Sequence, residues 1–194
     1  GWTMSQQAAS LNDLDGVTDP ITLEIIRHEL ISIPNQIEKN IERTAFSPLV
    51  QEYKDYAVGI VGPTGEMITQ SRGSLLIFVA NALGTAVKDG LDIYGADGLE
   101  DGDVVITNDA WIGTGHLNDI SMICPIFAKG RLIAFAGSTA HTVDIGGAPS
   151  PNAQDCYEEG LCIPICKIVE EGQENSLVLD FINENLRAPN ETLG

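Results

Sequence analysis

The fold of this chain is decided by two neighbouring segments, Ile120-Ser-Met-Ile-Cys-Pro-Ile-Phe127 and Arg131-Leu-Ile-Ala-Phe-Ala-Gly-Ser-Thr139. Both are rich in apolar and β-branched residues, and only Ala128-Lys-Gly130 lies between them, so we predict that they pair as an antiparallel hairpin. A hairpin brings its two outer ends side by side. The residues just before the first strand and just after the second are therefore expected to meet in space.

Three side chains at these outer ends are suited to binding a metal ion. His116 and Asp119 precede the first strand and His141 follows the second, and imidazole nitrogens with a carboxylate are good ligands for Zn²⁺ or Mn²⁺. Three protein ligands leave a coordination position open for water or substrate, as in catalytic sites. The residues alone also allow a simpler interpretation, in which each histidine is a hydrogen-bonded loop residue beside glycines. On the residues alone, both interpretations stay open.

Further functional side chains are predicted nearby. Asp144 comes soon after His141, and we expect it to be a fourth ligand, a partner that orients an imidazole, or a general base. An acidic turn and a buried strand in residues 99–107 deliver Asn108 and Asp109 at the end of the strand, where loops commonly carry function. Glycines such as Gly115 allow backbone conformations that side chains forbid, which lets the loops converge on an ion or ligand.

The remaining patterns predict helices and strands around this hairpin. A helix is expected to begin at Asp19-Pro20, with Asp19 as the N-cap, and Pro34 is expected to kink or interrupt it. The other predicted elements are a hairpin of residues 56–61 and 66–69, a helix of residues 77–94, a strand of residues 165–169 and a helix of residues 176–186. The predicted fold class is α+β, with a mixed, largely antiparallel sheet and flanking helices. Residues 1–17 are predicted to be a flexible leader, and residues 18–194 the metal-binding portion.

Charge and hydropathy exclude two classes of partner. The formal net charge is −18, so the field of the protein repels the phosphate backbone of nucleic acids. No apolar run reaches the roughly 18 residues that a membrane span requires, and the N-terminus lacks the pattern of a signal peptide. We therefore expect a cytoplasmic protein with no nucleic-acid partner and no membrane partner.

The four cysteines allow a second metal hypothesis. Cys162-Ile-Pro-Ile-Cys166 is similar to half of a zinc ribbon, but Cys124 and Cys156 do not form the second close pair that would complete four ligands. The interpretation that we favour is that all four are reduced and act as small hydrophobic residues of a cytosolic protein.

A series of ordered motifs resembles the hydantoinase B / oxoprolinase family, which is related to the large subunits of acetone and acetophenone carboxylases. The resemblance covers nearly everything after the leader. The motifs are Asp19-Pro-Ile-Thr-Leu-Glu-Ile-Ile-Arg27, Arg43-Thr-Ala-Phe-Ser-Pro48, Lys54-Asp-Tyr-Ala57, Gly102-Asp-Val-Val-Ile-Thr-Asn-Asp109, Gly115-His-Leu-Asn-Asp-Ile120, His141-Thr-Val-Asp-Ile-Gly-Gly147 and Tyr157-Glu-Glu-Gly-Leu-Cys-Ile-Pro164.

The resemblance implies a metal-binding catalytic subunit of an ATP-dependent complex. In such complexes a partner of the hydantoinase A type, which binds ATP, phosphorylates a carbonyl oxygen of a small-molecule substrate. The B-type subunit then receives the activated compound at its divalent metal. The implied reaction is metal-assisted hydrolysis of a cyclic amide, as in hydantoinases, lactamases and oxoprolinases. Two alternatives stay open: the carboxylation of a ketone, and a non-catalytic module that only docks onto the A-type partner.

The resemblance also implies roles for the residues around the metal. Asp144 would move protons, with Asp109 as a second catalytic carboxylate, while Trp111, Asn108 and Gly115 would contact the substrate. Trp111 stands where many hydantoinases have a tyrosine, which favours an apolar substrate.

Two further features bear on how far the resemblance extends. Thr142 stands where many relatives carry a second consecutive histidine, so any role of that histidine cannot be transferred to this chain. Family members are much longer than 194 residues, and we expect this chain to be the N-terminal part of a larger B-type subunit. The remaining C-terminal part of that subunit would then be a further partner.

Overall fold

The computed structural model describes residues 19–75, 82–112, 115–148 and 152–193. In these ranges one antiparallel sheet of seven strands forms the centre of the chain, in the order β2-β1-β5-β4-β3-β6-β7. The strands are β1 (Tyr56–Val61), β2 (Met67–Gln70), β3 (Val104–Thr107), β4 (Asp119–Ala128), β5 (Arg131–His141), β6 (Cys166–Glu170) and β7 (Gln173–Glu174). The α-helices are α1 (Pro20–Thr44), α2 (Leu83–Tyr94), α3 (Cys156–Glu159), α4 (Ser176–Asn185) and α5 (Pro189–Leu193).

The predicted hairpin of β4 and β5 is confirmed and forms the middle of the sheet. Its register pairs Ala128 with Arg131 at the turn and Asp119 with His141 at the open end. Both strands are longer than predicted, because the residues expected to lie just outside the hairpin belong to its last paired positions. Two candidate metal ligands are thus held by the ladder itself rather than by a loop.

Alternation along the strands gives the sheet one face that packs against α2. Val105, Ile123 and Phe135 are buried together with Leu83 and Val87 of this helix. Asp119 lies four residues before Ile123 in the same strand, so its side chain points to the same face. The apolar core of this face therefore ends in polar side chains at the edge where the candidate site lies.

The opposite face packs against α4 and the second half of α1. Ile106, Ile120 and Ile168 form a cluster with Ile182 of α4 and the loop residue Ile163. A third cluster joins Ile37 and Ile41 of α1 to Val50, Tyr56 and Val58, with Ala140 packed against them. Because Ile120 and Ala140 are register partners, both helices cover the same face.

The first helix begins as the sequence predicts, but it does not break. Asp19 caps α1 by accepting a hydrogen bond from the backbone N–H of Ile21, with Pro20 in the first helical position. The helix continues from Pro20 to Thr44 through Pro34. The side chain of Asn35 donates to the carbonyl of Ile31, one turn before the proline. The predicted interruption at Pro34 is therefore wrong.

The predicted fold class, α+β with a largely antiparallel sheet and flanking helices, is confirmed. The predicted leader and the first residues of the helix assigned to residues 77–94 fall outside the described residues. Within the described residues, α2 begins at Leu83. Sequence reasoning did not predict α3, α5 or β7. Within the described ranges, no helix combines the length and the apolar character needed to cross a membrane.

The segment that follows β5 is fixed by contacts with α3. Gly146 and Gly160 form an isolated antiparallel bridge, the N–H of Leu161 donates to the carbonyl of Ile145, and the N–H of Ala148 donates to the carbonyl of Glu158. The two backbones are so close at Gly147 that an added Cβ would collide with the main chain of Glu158 and Glu159. This close approach explains why glycines occupy the segment.

We expect Gly147→Ala to lower the free energy of unfolding by about 2–3 kcal/mol, because one backbone must move away from the other. Gly98→Ala is the matched control, since a Cβ at Gly98 meets only ordinary contact, 3.5 Å from the Cβ of Tyr94. Urea denaturation of the two variants measures the difference. Equal stability of both variants would show that the segment after β5 does not need the close approach.

Candidate metal centre

The candidate site is built on the last pair of residues of the central hairpin. Asp119 opens β4 and His141 closes β5, and they face each other across the two strands. The backbone N–H of His141 also donates to the carbonyl of Asp55, just before β1, which fixes the end of β5 from its other side. His116 reaches the same place from the turn that precedes β4, where its carbonyl accepts from the N–H of Asp119.

The three side chains predicted to meet do meet. Oδ1 of Asp119 lies 2.7 Å from Nδ1 of His141, and Oδ2 lies 3.2 Å from Nδ1 of His116. The two imidazole rings are edge to face, with centroids 5.0 Å apart. One potential ligand atom from each residue lies within 4.8 Å of the other two. The convergence that the hairpin predicted is confirmed.

The cluster pairs one buried carboxylate with two imidazoles. The Asp119 side chain is 1% exposed, and among the described residues its ion-pair contacts are with the two histidines, not with lysine or arginine. The hydrogen bond that Asp119 accepts from the imidazole raises the pKa of His141 above its ordinary value, although burial acts in the opposite direction. A buried carboxylate needs a compensating charge, which a protonated imidazole or a divalent cation can supply. The donor set therefore fits such a cation.

Two buried polar residues tie the His116 turn to the end of β5. The N–H and the hydroxyl of Thr142 both donate to the carbonyl of Asn118, and the amide of Asn118 donates to the carbonyl of Thr142. Each of these residues is the direct neighbour of a candidate ligand. The distance between the turn and the strand end is therefore set by hydrogen bonds that solvent does not reach.

Asn108 is buried and makes only internal contacts. Its amide donates to the carbonyls of Leu117 and Leu161, at 2.7 and 2.9 Å, and its side-chain oxygen accepts from the N–H of Ile163 at 2.6 Å. These bonds hold the His116 turn against the segment that leads into β6. The contacts give Asn108 a structural role, and its predicted contact with substrate stays a prediction.

The other predicted substrate-side residues lie around the same turn. Asp109 accepts a hydrogen bond from the N–H of Trp111, whose side chain is 89% exposed. Gly115 has a φ of +96°, which favours glycine, and it directly precedes His116. A cavity of about 10 Å³, room for roughly one water molecule, is lined by Asp109 and Asp119 together. Asp109 is thus close to the cluster, while Trp111 faces solvent.

Asp144 has a different environment from the one expected. Its carboxylate accepts hydrogen bonds from the backbone N–H groups of Gly146, Arg187 and Ala188, and it pairs with the guanidinium of Arg187 at 3.1 Å. Among the described residues, the group that could hold a metal contains His116, Asp119 and His141 only. The idea that Asp144 is a fourth ligand is therefore not supported, and its role as a base stays a prediction. The observed contacts anchor the chain after α4.

The cysteines do not take part in this cluster. All four are free, and burial raises the pKa of the Cys124 and Cys166 thiols above the ordinary value. Thiols with raised pKa are poor metal ligands and poor nucleophiles at neutral pH. This supports the interpretation of these two cysteines as small hydrophobic residues.

Of three residues that shape the site, Asn118 and Glu159 were not singled out from the sequence, and Thr142 was noted only as a departure from the family pattern. Asn118 and Thr142 form the bonds described above, and Glu159 of α3 accepts a hydrogen bond from the N–H of Leu117 at 2.7 Å. For Asn118 and Thr142, the position of a small polar residue directly beside Asp119 or His141 was a usable signal. No local signal identifies Glu159, because its partner is far away in sequence and is a backbone group.

The chain combines an antiparallel sheet with a His-Asp-His cluster at the end of its central hairpin. Comparison with known families identifies the class of protein to which it belongs. Residues 19–194 match the family described as Hydantoinase B/oxoprolinase. The chain belongs to this family, and the match covers all described residues.

Two relatives illustrate the similarity. The chain is 36% identical over 186 residues to an uncharacterized protein of Methanocaldococcus jannaschii, covering 91% of this chain and 32% of that protein. It is 33% identical over 175 residues to the caprolactamase subunit beta of Pseudomonas jessenii, covering 88% of this chain and 29% of that subunit. The chain thus spans about a third of the length of these relatives.

Two solved structures share the fold. A nucleotide-free acetone carboxylase superposes with a TM-score of 0.81 at 22% identity, over 92% of this chain and 24% of that chain. The ATP-dependent caprolactamase of Pseudomonas jessenii superposes with a TM-score of 0.73 at 29% identity, over 89% of this chain and 30% of that chain. The architecture described above is therefore that of a portion of these larger enzymes.

The contacts of Asp144 lead to a prediction about pH. Burial alone would raise the pKa of Asp144, but the backbone N–H groups and Arg187 lower it below its ordinary value. A carboxyl group with a lowered pKa in the folded state stabilises the protein above the pKa of the unfolded state, about 3.9. That contribution is lost as the pH falls through the lowered pKa.

We therefore expect Asp144→Asn to lower the free energy of unfolding by about 2 kcal/mol at pH 7. The difference from the wild-type protein should shrink steadily as the pH falls below about 4. Denaturation curves at pH 7, 5 and 3.5 measure it. A difference that does not change with pH would show that the charge of Asp144 contributes nothing.

Proposed function

We propose that this chain is the metal-binding part of the catalytic B-type subunit of an ATP-dependent amidohydrolase, with His116, Asp119 and His141 as the ligands of a divalent ion, Zn²⁺ or Mn²⁺. The observation that carries the proposal is the buried Asp119 carboxylate between two imidazoles at the end of the central hairpin. Membership of the Hydantoinase B/oxoprolinase family supports the class of enzyme.

The donor set determines what the site can do. A divalent ion at such ligands acts as a Lewis acid, which lowers the pKa of water to about 7 or polarises a substrate oxygen. The residues of the chain position this chemistry: Asp119 is fixed by the strand ladder, while the His116 side chain, 41% exposed, lies on the open side of the cluster. Substrate would therefore approach past His116.

Asp109 is the carboxylate best placed to move a proton near the reacting group. It lines the same small cavity as Asp119, with room for about one water molecule between them. A single water could carry a proton from the cluster to Asp109, in the manner of a general base. Trp111 and Gly115 lie between Asp109 and Asp119 in the sequence, and they would contact the substrate.

The proposed substrate is a cyclic amide activated by ATP on a partner subunit of the hydantoinase A type. The basis is the relation to a caprolactamase described as subunit beta and to a caprolactamase described as ATP-dependent, at 33% and 29% identity. Carboxylation of a ketone is kept as the second candidate, and the acetone carboxylase shares the fold with a TM-score of 0.81. At 22% identity that similarity supports the fold alone.

Metal content tests the ligand set directly. We expect the purified chain to bind about one divalent ion per molecule, and we expect His116→Ala and His141→Ala to lose it, since two donors cannot hold the ion as three do. His28→Ala is the matched control, because His28 is the third histidine and its side chain is 71% exposed on α1. Elemental analysis after dialysis against Zn²⁺ or Mn²⁺ gives the ion content of each protein.

Ion content that survives both substitutions would overturn the ligand assignment. Loss of the ion from His28→Ala as well would point to general unfolding rather than to a ligand. Thermal unfolding of the metal-free proteins, measured alongside, shows whether a variant that loses the ion is still folded.

The reaction is tested with the complex formed by the full B-type subunit and its ATP-binding partner. We expect ATP-dependent opening of lactams or hydantoins without bicarbonate, and at least a hundredfold loss of rate in Asp119→Asn, because the site keeps its shape but loses the carboxylate charge. ATP-dependent consumption of ketones that requires bicarbonate would favour carboxylation instead. Full activity of Asp119→Asn would favour a non-catalytic interaction module.

A further inference from the structure

Glu159 connects the candidate site to a part of the chain that carries no ligand. It is the last residue of α3, a helix capped by the side chain of Asp155, which accepts from the N–H groups of Tyr157 and Glu158. The bridge between Gly146 and Gly160 fixes the position of α3 relative to the strand that ends at His141. Glu159 is thus delivered to the site by backbone contacts that leave it little freedom.

The carboxylate of Glu159 binds the turn that carries His116. Its Oε2 accepts a hydrogen bond of 2.7 Å from the backbone N–H of Leu117, the residue between His116 and Asn118. The carbonyl of Leu117 accepts from the amide of Asn108 at 2.7 Å, and the Leu117 side chain is buried in the cluster around α4. Both polar backbone groups of Leu117 are therefore held by side chains from distant segments.

We propose that Glu159 is a positioning residue of the metal site, which fixes the His116 turn so that its imidazole lies beside Asp119. This inference rests on the metal-binding function proposed above. Glu159 touches neither an imidazole nor Asp119 in the bonds that the structure gives it, and it acts through the backbone next to His116. It does for the turn what the strand ladder does for Asp119 and His141.

The turn needs such a restraint more than the two strand residues do. Gly115, directly before His116, adopts a φ of +96°, and among the described residues no atom beyond its chain neighbours lies within 4 Å of where its Cβ would be, so packing at this position does not restrain the backbone. An ionised carboxylate that accepts from a backbone N–H forms a hydrogen bond roughly twice as strong as a neutral one. Loss of residues that orient metal ligands typically weakens metal binding by about tenfold to a hundredfold.

The experiment compares Glu159→Ala and Glu159→Gln with the control Glu158→Ala. Glu158 is the preceding residue of α3, and its side chain accepts from the N–H of Gln154, away from the site. Two properties are measured on the full chain: hydrogen exchange of the Leu117 amide in the metal-free protein, and affinity for Zn²⁺ by competition with a chelating dye. The visible spectrum of the Co²⁺-loaded protein reports ligand geometry.

We expect Glu159→Ala to speed exchange of the Leu117 amide at least tenfold, to weaken Zn²⁺ binding about tenfold and to change the Co²⁺ spectrum. Glu159→Gln retains an acceptor oxygen and should recover most of the affinity, while Glu158→Ala should match the wild-type protein. A merely structural role would lower thermal stability without changing the Co²⁺ spectrum.

The two proposals fail in different ways. If the wild-type protein binds no ion, the metal function fails, and exchange of the Leu117 amide still decides whether Glu159 holds the turn. If the wild-type protein binds the ion and Glu159→Ala binds it equally well with an unchanged spectrum, the positioning role is overturned. Faster exchange in Glu158→Ala to the same extent would also overturn it, because the effect would then belong to α3 as a whole.

Discussion

The organising constraint of this structure is the burial of one carboxylate, that of Asp119, at the end of the central hairpin. A buried carboxylate costs free energy unless charge and hydrogen bonds compensate it. Here the compensating groups are two imidazoles, one from the facing strand and one from the preceding turn. The pairing of β4 with β5 sets the distance from Asp119 to His141, so the geometry of the cluster depends on the register of the two strands. A shift of the register by one residue would turn Asp119 toward the opposite face of the sheet.

The surroundings of the cluster extend the same principle to the neighbouring segments. Thr142 and Asn118 bind each other, and Asn108 and Glu159 hold the two backbone groups of Leu117. All of these side chains bind backbone rather than the imidazoles. Side chains that bind backbone fix the backbone position of a candidate ligand residue. The rotamer of that residue then determines where its donor atom lies. The imidazoles of His116 and His141 contact Asp119, whereas the backbone around them is fixed by bonds from other side chains.

The sequence predicted what local periodicity controls and missed what distant contacts control. The hairpin could be predicted because its two strands are adjacent and share a two-residue period, and the convergence of His116, Asp119 and His141 followed from it. Asn108 was singled out because it follows a strand, and the local pattern could not show that its amide binds the carbonyls of Leu117 and Leu161. Pro34 was expected to kink or interrupt α1, yet the helix is not interrupted and continues to Ile37 and Ile41, which pack on the sheet. Asp144 was expected to face the metal, and its partners after α4 were not recognisable from the local pattern.

The residues of the site differ in how far they are exposed to solvent. Asp119 is almost fully buried and His116 is 41% exposed, so among the described residues the cluster is most open to solvent at His116. The cavity on the inner side has about 10 Å³, whereas pockets that enclose small-molecule ligands have about 300 Å³ or more. A cavity of this size has no room for a small-molecule ligand, so under the proposed function a substrate would reach the cluster past His116. The neighbouring turn, with Trp111 exposed to solvent, is the surface that this chain offers to it. The strand ladder thus fixes Asp119 and His141, whereas His116 and Trp111 lie on connecting backbone, which generally tolerates more change than the strands that it joins.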